Sequence, residues 1–193
     1  MEDFYTIQGE GFHQGRAAYF IRLGGCEVRC VWCDVKDSWD VNAHPKMEVH
    51  ALAQKAKLSG SQLAVVTGGE PTMHNLEALT QALQQVGLRT HLETSGAYTI
   101  TGTWDWICFS PKKFKPPHPS VAAQADELKV VVFHKSDLAW AEEFAHLVKP
   151  ACKLYLQPEW SKESEILPLV IDYVKKNPRW QISLQVHKYM NIP

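Results

Sequence analysis

Leu63-Ala64-Val65-Val66-Thr67-Gly68-Gly69-Glu70-Pro71 decides the fold. A short apolar run, rich in β-branched residues and closed by a glycine pair, reads as a strand buried on both faces. Leu76, Leu79, Leu83 and Val86 then recur at i, i+3, i+7 and i+10, the apolar face of a helix. Together they make one βα unit. Upstream, Ala18 to Leu23 reads as a strand that runs into Gly24-Gly25 and a cysteine-rich loop, and Met47 to Leu58 carries helical spacing. Further strands are expected at Arg89 to Thr94, Asp105 to Phe109, Leu128 to Phe133, Lys153 to Gln157 and Gln181 to Val186. Helices are expected at Leu138 to Val148 and Glu163 to Lys176, where Pro168 implies a late start or a kink.

This alternation predicts a parallel sheet, as an open doubly wound sheet or an incomplete βα barrel. Lys112 to Pro119 reads as a loop within one domain spanning residues 1–193. In parallel βα folds the C-terminal strand ends share one edge, where several loops assemble a site. Here those ends carry Gly-Gly-Cys, Thr-Gly-Gly-Glu-Pro, Glu-Thr-Ser-Gly, Ser-Pro-Lys, Gln-Pro-Glu and His-Lys-Tyr. One polar crevice is therefore expected to collect them.

The composition, 45% hydrophobic and 21% charged over 193 residues, is that of a globular domain and excludes disordered, collagenous and coiled-coil classes. Lys+Arg 20 against Asp+Glu 21 gives a formal charge of -1, so no global field draws the chain to nucleic acid or an anionic membrane. The lysines at 112, 113 and 115 are too few for an RNA-binding face. An acidic start and the lack of a long apolar run point to the cytoplasm. Of five cysteines, Cys26, Cys30 and Cys33 crowd into one short loop, a pattern of reduced thiols around a metal or cluster rather than of disulfides.

Three thiolates leave a coordination place free, as a reactive iron-sulfur centre requires, whereas closed structural sites take four protein ligands. The alternative is a zinc knuckle completed by His44 or Cys108, although the second ligand pair of a zinc ribbon is missing. Cys108 and Cys152 lie in apolar strand contexts and read as packing residues.

Cys26-x-x-x-Cys30-x-Trp32-Cys33 after one strand and Thr67-Gly68-Gly69-Glu70-Pro71 after the next resemble the radical S-adenosylmethionine superfamily. Thr6 to Gly11, Arg22, Ser110-Pro111-Lys112 and the ending Gln185 to Pro193 narrow the resemblance to the 7-carboxy-7-deazaguanine synthases, over the whole chain. It implies a partial TIM-like barrel of about six or seven strands, a homodimer and an external electron donor such as flavodoxin. It implies a four-iron four-sulfur cluster on Cys26, Cys30 and Cys33, whose open iron is chelated by S-adenosylmethionine. Cofactor contacts then fall on Trp32, Asp34, Gly68, Gly69, Glu70, Ser95, Ser110, Pro111, Lys112 and Gln157. The glycines would let backbone approach the methionine moiety, and Glu70 would face its ammonium.

The implied substrate is 6-carboxy-5,6,7,8-tetrahydropterin, converted with loss of ammonia to a deazaguanine of the queuosine pathway. Its contacts fall on Ile7, Gln8, Gly9, Glu10, Arg22, Thr67 and Pro193, whose α-carboxylate would enter the substrate site. A guanidinium suits the substrate carboxylate; an ion pair of Arg22 with Glu10 or Glu27 is the competing reading. The sequence departs from the family pattern at Val35, where a threonine usually helps hold magnesium, which puts that ion in doubt. Asp34, Ser38, a backbone carbonyl or water would have to substitute. Trp104 and Trp106 are read as core residues, with a dimer interface as the alternative. Rival functions are a glycyl-radical activase and a zinc-stabilised binding module.

Overall fold

In the computed structural model, which describes residues 1–193, eight strands hydrogen-bond in chain order into one sheet. They are β1 (Glu2–Ile7), β2 (Ala17–Leu23), β3 (Leu63–Gly68), β4 (Arg89–Thr94), β5 (Trp106–Phe109), β6 (Glu127–Val132), β7 (Lys153–Pro158) and β8 (Trp180–Ile182). β1 runs antiparallel to β2, with Glu2 opposite Arg22, and all later neighbours are parallel. β1 and β8 do not pair, so the barrel is incomplete.

Side-chain alternation along each strand separates two environments. Outward residues meet α1 (Val49–Leu58), α2 (Glu77–Gln85), α3 (Asp137–Ala145) and α4 (Glu163–Lys176). Ile21, Val66 and Leu92 pack with Leu52, Ala56, Leu79 and Leu83 in one apolar cluster, while Leu128, Val130, Leu154 and Leu156 pack with Leu138, Val170 and Trp180 in another. No helix spans the crossing from β4 to β5; Ile100 on that segment packs against both clusters. The opposite faces place Glu93, Glu127, Lys129 and Gln157 in the barrel interior, all buried or nearly so.

Three differences from the sequence reading have physical causes. β1 is an extra strand because Glu2, Asp3 and Thr6 face partners and solvent rather than core, which conceals its pattern. β8 stops at Ile182, and Val186–Met190 forms a short helix, α5, over a stretch where the strand had been expected to end. α4 starts at Glu163 and continues through Pro168, so it does not start late. Trp106 stacks on the exposed Phe12 at 4.5 Å and donates to Glu127, and Trp104 packs on the edge of the α1/α2 cluster; both are half-buried rather than core residues.

Candidate active site

A cavity of about 330 Å³ opens at the C-terminal strand ends, and Cys26, Cys30 and Cys33 all line it. The cysteine loop is pinned at both ends: Gly25 N donates to Ser38 O at 2.6 Å, and Cys26 N to Trp39 O at 3.2 Å. Cys33 N closes a turn on Cys30 O at 3.1 Å. Burial pushes the Cys30 thiol up to about 11, with Lys112 opposing and the other two cysteines reinforcing the shift. Trp32 stacks on Phe133 at 5.2 Å and walls one side. No three His, Cys, Asp or Glu side chains are gathered for a single metal ion. His44 is bonded to Asp37 O at 2.7 Å, Cys108 is buried in β5, and neither lines the cavity. Three sulfur donors without an imidazole suit an iron-sulfur cluster rather than zinc.

Gly68 and Gly69 line the same cavity, but their missing side chains serve the protein first. A Cβ on Gly69 would meet Gly25 O at 2.2 Å, and one on Gly68, at φ +124°, would meet Leu23 N at 2.3 Å. Backbone bonds from Gly69 N to Leu23 O and from Glu70 N to Gly25 O, both 2.8 Å, occupy that approach. The pair thus seats the cysteine loop against the end of β3. Glu70 is buried and already hydrogen-bonded: Oε1 accepts from Thr72 N at 3.0 Å, from the Thr72 hydroxyl at 2.7 Å and from the Thr94 hydroxyl, while Oε2 accepts from the Ser95 amide and hydroxyl. Its carboxylate therefore ties the loop after β3 to the end of β4.

A second cavity, of about 180 Å³, lies between the β1–β2 loop and the C-terminal segment; Ile7, Gln8, Gly9, Arg22, Val35, His187 and Pro193 line it. Glu10, Asp34, Thr67, Gly68, Glu93 and Gln185 line both cavities, so the two meet. A charge network forms their floor. Lys129 Nζ donates to Glu10 at 2.6 Å and to Glu93 at 3.1 Å, Gln8 donates to Glu93 at 3.2 Å, and Gln185 donates to Glu10 at 2.8 Å. Burial opposes ionisation of Glu10 and Glu93, yet the Lys129 ammonium outweighs it and holds both carboxyls below their ordinary range. Burial likewise opposes the charge on Lys129, but the acidic groups around it keep it protonated.

The Radical SAM superfamily model matches residues 20–107. A 7-carboxy-7-deazaguanine synthase of Flavobacterium psychrophilum is 52% identical over all of this chain and 91% of its own length. The chain belongs to the 7-carboxy-7-deazaguanine synthase family. A family member from Synechocystis sp. is 45% identical over 99% of this chain and 91% of its own. The crystal structure of QueE from Escherichia coli superposes with a TM-score of 0.81 at 31% identity, covering 95% of this chain and 91% of that one. The chain is thus a radical S-adenosylmethionine lyase on a partial barrel, and the activase and zinc-module alternatives fall away.

Within this 7-carboxy-7-deazaguanine synthase fold, the expected cofactor residues Trp32, Asp34, Gly68, Gly69, Glu70, Ser95, Ser110, Lys112 and Gln157 gather around the first cavity. Pro111 is buried behind it and does not line it. Arg22 pairs with Glu2 at 3.5 Å across the β1–β2 register and lies over Phe4, and neither Glu10 nor Glu27 is its partner; Glu10 holds Lys129 and Glu27 holds Lys115. The two side-chain substitutes for magnesium, Asp34 and Ser38, do not assemble. Val35 offers no side-chain oxygen, Ser38 Oγ donates to Val35 O at 2.6 Å, and Asp34 is paired with Lys188 at 3.0 Å. These residues do not fit an oxygen-ligated divalent ion. Glu93 and His187 belong to strand-end motifs expected in the crevice, and Gln185 opens the quoted C-terminal segment, but the sequence reading gave none of them a role; Lys129 escaped it altogether, although all four line the joined cavities. The signal for Lys129 was a charged residue in period two within an apolar strand, as in Glu127-Leu128-Lys129-Val130.

Proposed function

We propose that the chain, as one radical S-adenosylmethionine domain, converts 6-carboxy-5,6,7,8-tetrahydropterin to 7-carboxy-7-deazaguanine with loss of ammonia. The observation that carries this reading is the joining of a sulfur-walled cavity to one lined by a guanidinium and paired polar groups. Cys26, Cys30 and Cys33 hold the four-iron four-sulfur cluster, with S-adenosylmethionine beside Trp32, Asp34, Ser95, Ser110, Lys112 and Gln157. When bound, that cofactor pair would supply radical chemistry for hydrogen abstraction, while the residues named aim and shield.

Arg22 takes the substrate carboxylate, since its guanidinium, lying over Phe4, has only a loose ion pair with Glu2. Gln8, Gly9 and Glu10 meet the pterin edge, with Ile7, Thr67 and Pro193 enclosing it. Glu93 is a further substrate contact, because it lines both cavities and is kept ionised by Lys129. Held ionised, this carboxylate offers the substrate a fixed hydrogen-bond acceptor and negative charge.

The reading includes a homodimer, an external one-electron donor of the flavodoxin kind and a cytoplasmic setting; no helix is long and apolar enough to cross a membrane. It also includes turnover without magnesium. Chelator-treated enzyme should change rate less than about twofold when magnesium is restored, and a steep increase would restore the ion to the site. The reaction itself is tested by anaerobic incubation of reduced, cluster-loaded protein with S-adenosylmethionine and the carboxytetrahydropterin, followed by mass spectrometry. The expected product is 7-carboxy-7-deazaguanine. Formation of 5'-deoxyadenosine without it would discard the substrate.

A further inference from the structure

Below the floor of the joined cavities lies a cluster that the proposed reaction does not use. Among buried side-chain polar atoms without a hydrogen-bond partner, five belong to this one place: both ring nitrogens of His13, both of His91, and Glu127 Oε1. The His13 and His91 rings meet edge to face with centroids 5.3 Å apart, and His13 lies 4.9 Å from Trp106, whose indole donates to the other oxygen of Glu127. An apolar side chain would fill such a space without the cost of an unpaired imidazole.

His91 stands two residues before Glu93 on the same inner face of β4, with Nε2 3.4 Å from Glu93 Oε1. Glu93 Oε1 is the acceptor facing that nitrogen, and no bonded partner competes for it. We infer that His91 is a positioning residue for Glu93: its ring N–H fixes the direction and ionisation of the carboxylate that meets the substrate, with His13 packed behind it. This rests on the reading of Glu93 as a substrate contact.

The groups facing Glu93 are Lys129 from β6, Gln8 and Glu10 from the β1–β2 loop, the Cys108 thiol from β5 and His91 itself, with Glu127 beyond Lys129. Facing the histidines are Glu93, Glu127, Arg16 and Arg89. Burial, aided by His91, lowers His13 to about 4, so it is neutral at pH 7 and adds no positive charge behind His91. Lys129 supplies charge to Glu93 from one side, and His91 supplies a directed donor from the other.

The test compares wild type, His91→Phe and His91→Gln in kcat and KM across pH, with thermal melting as a control for folding. His91→Phe fills the volume but removes the donor. Its kcat should fall ~10- to 100-fold with KM changed less than about threefold. Because the lost N–H had favoured the ionised carboxylate, the acid limb of its pH profile should move to higher pH. His91→Gln, which keeps an N–H, should recover most of the rate and return the limb toward wild type. An unmoved acid limb in a folded His91→Phe protein would overturn the inference.

A second measurement covers the case in which His91→Phe does not fold. Nitrogen NMR of labelled histidine in ligand-free protein should show the His91 ring signals shifting in Glu93→Gln, and their constancy would equally overturn it. That measurement needs no substrate. A wild type that makes no deazaguanine would count against the function proposed above, whatever the ring signals do.

Discussion

Glu70 and Lys129 show how the site spends its charged residues on internal order. Glu70 accepts from Thr72, Thr94 and Ser95, so it fixes the ends of β3 and β4 before any ligand arrives. Glu70→Gln turns an acceptor into a donor facing donors, and should cost about 1–3 kcal/mol in chemical denaturation. It should also weaken S-adenosylmethionine binding; unchanged stability would contradict the role as a tie. Lys129→Met leaves Glu10 and Glu93 buried without their counter-ion and should cost about 3–5 kcal/mol near neutral pH. The sign follows from the lowered native pKa values of Glu10 and Glu93. Their pairing stabilises above the unfolded carboxylate value of about 4.3 and fades as pH falls through the lower native values. Melting curves should therefore show the Lys129→Met deficit shrinking on acidification, and a deficit independent of pH would exclude charge as its cause. At this scale the sequence revealed the cysteines and Glu70 through their motifs. Glu93 opens the quoted Glu-Thr-Ser-Gly stretch but was given no role, and Lys129 carries no motif; the meaning of both appears only once the inner face of each strand is known.

At the scale of elements, the C-terminal segment closes the substrate side. Val186 N donates to Gly9 O at 3.0 Å, Gln185 holds Glu10, and Ile192 N turns back to His187 O at 3.1 Å through Asn191 at φ 52°, bringing Pro193 to the second cavity. Removing residues 186–193 should raise KM for the pterin ~10-fold or more while leaving reductive cleavage of S-adenosylmethionine intact, because the lost contacts are on the substrate side. Steady-state kinetics with both readouts checks this, and equal loss of the two would mean that the segment merely supports the fold. The βα units were legible because their outward faces obey simple periodicities. β1 and α5 were not, since each owes its form to tertiary partners: β1 to the edge of β2, and α5 to Gly9 and Asp34.

Across the whole molecule, one rule organises the parts. Outward strand residues build two apolar clusters under the helices, and inward residues, apart from a small apolar cluster of Ala18, Leu63 and Val65, build a polar shaft whose upper end opens to the cysteine loop. The parallel sheet and the common edge of polar motifs were readable from alternation of strand and helix; the strand order was not, since the same alternation fits an open doubly wound sheet. The division into two joined cavities was not, because it depends on the β1–β2 loop and the C-terminal segment meeting across the open side of the barrel. The central claim is that S-adenosylmethionine and a pterin meet there within reach of one hydrogen transfer. It is tested most directly by supplying substrate deuterated at its saturated ring carbons and reading the mass of the 5'-deoxyadenosine formed. Deuterium in the deoxyadenosine, alongside 7-carboxy-7-deazaguanine, is the predicted result; unlabelled deoxyadenosine from an enzyme that still makes product would contradict the account.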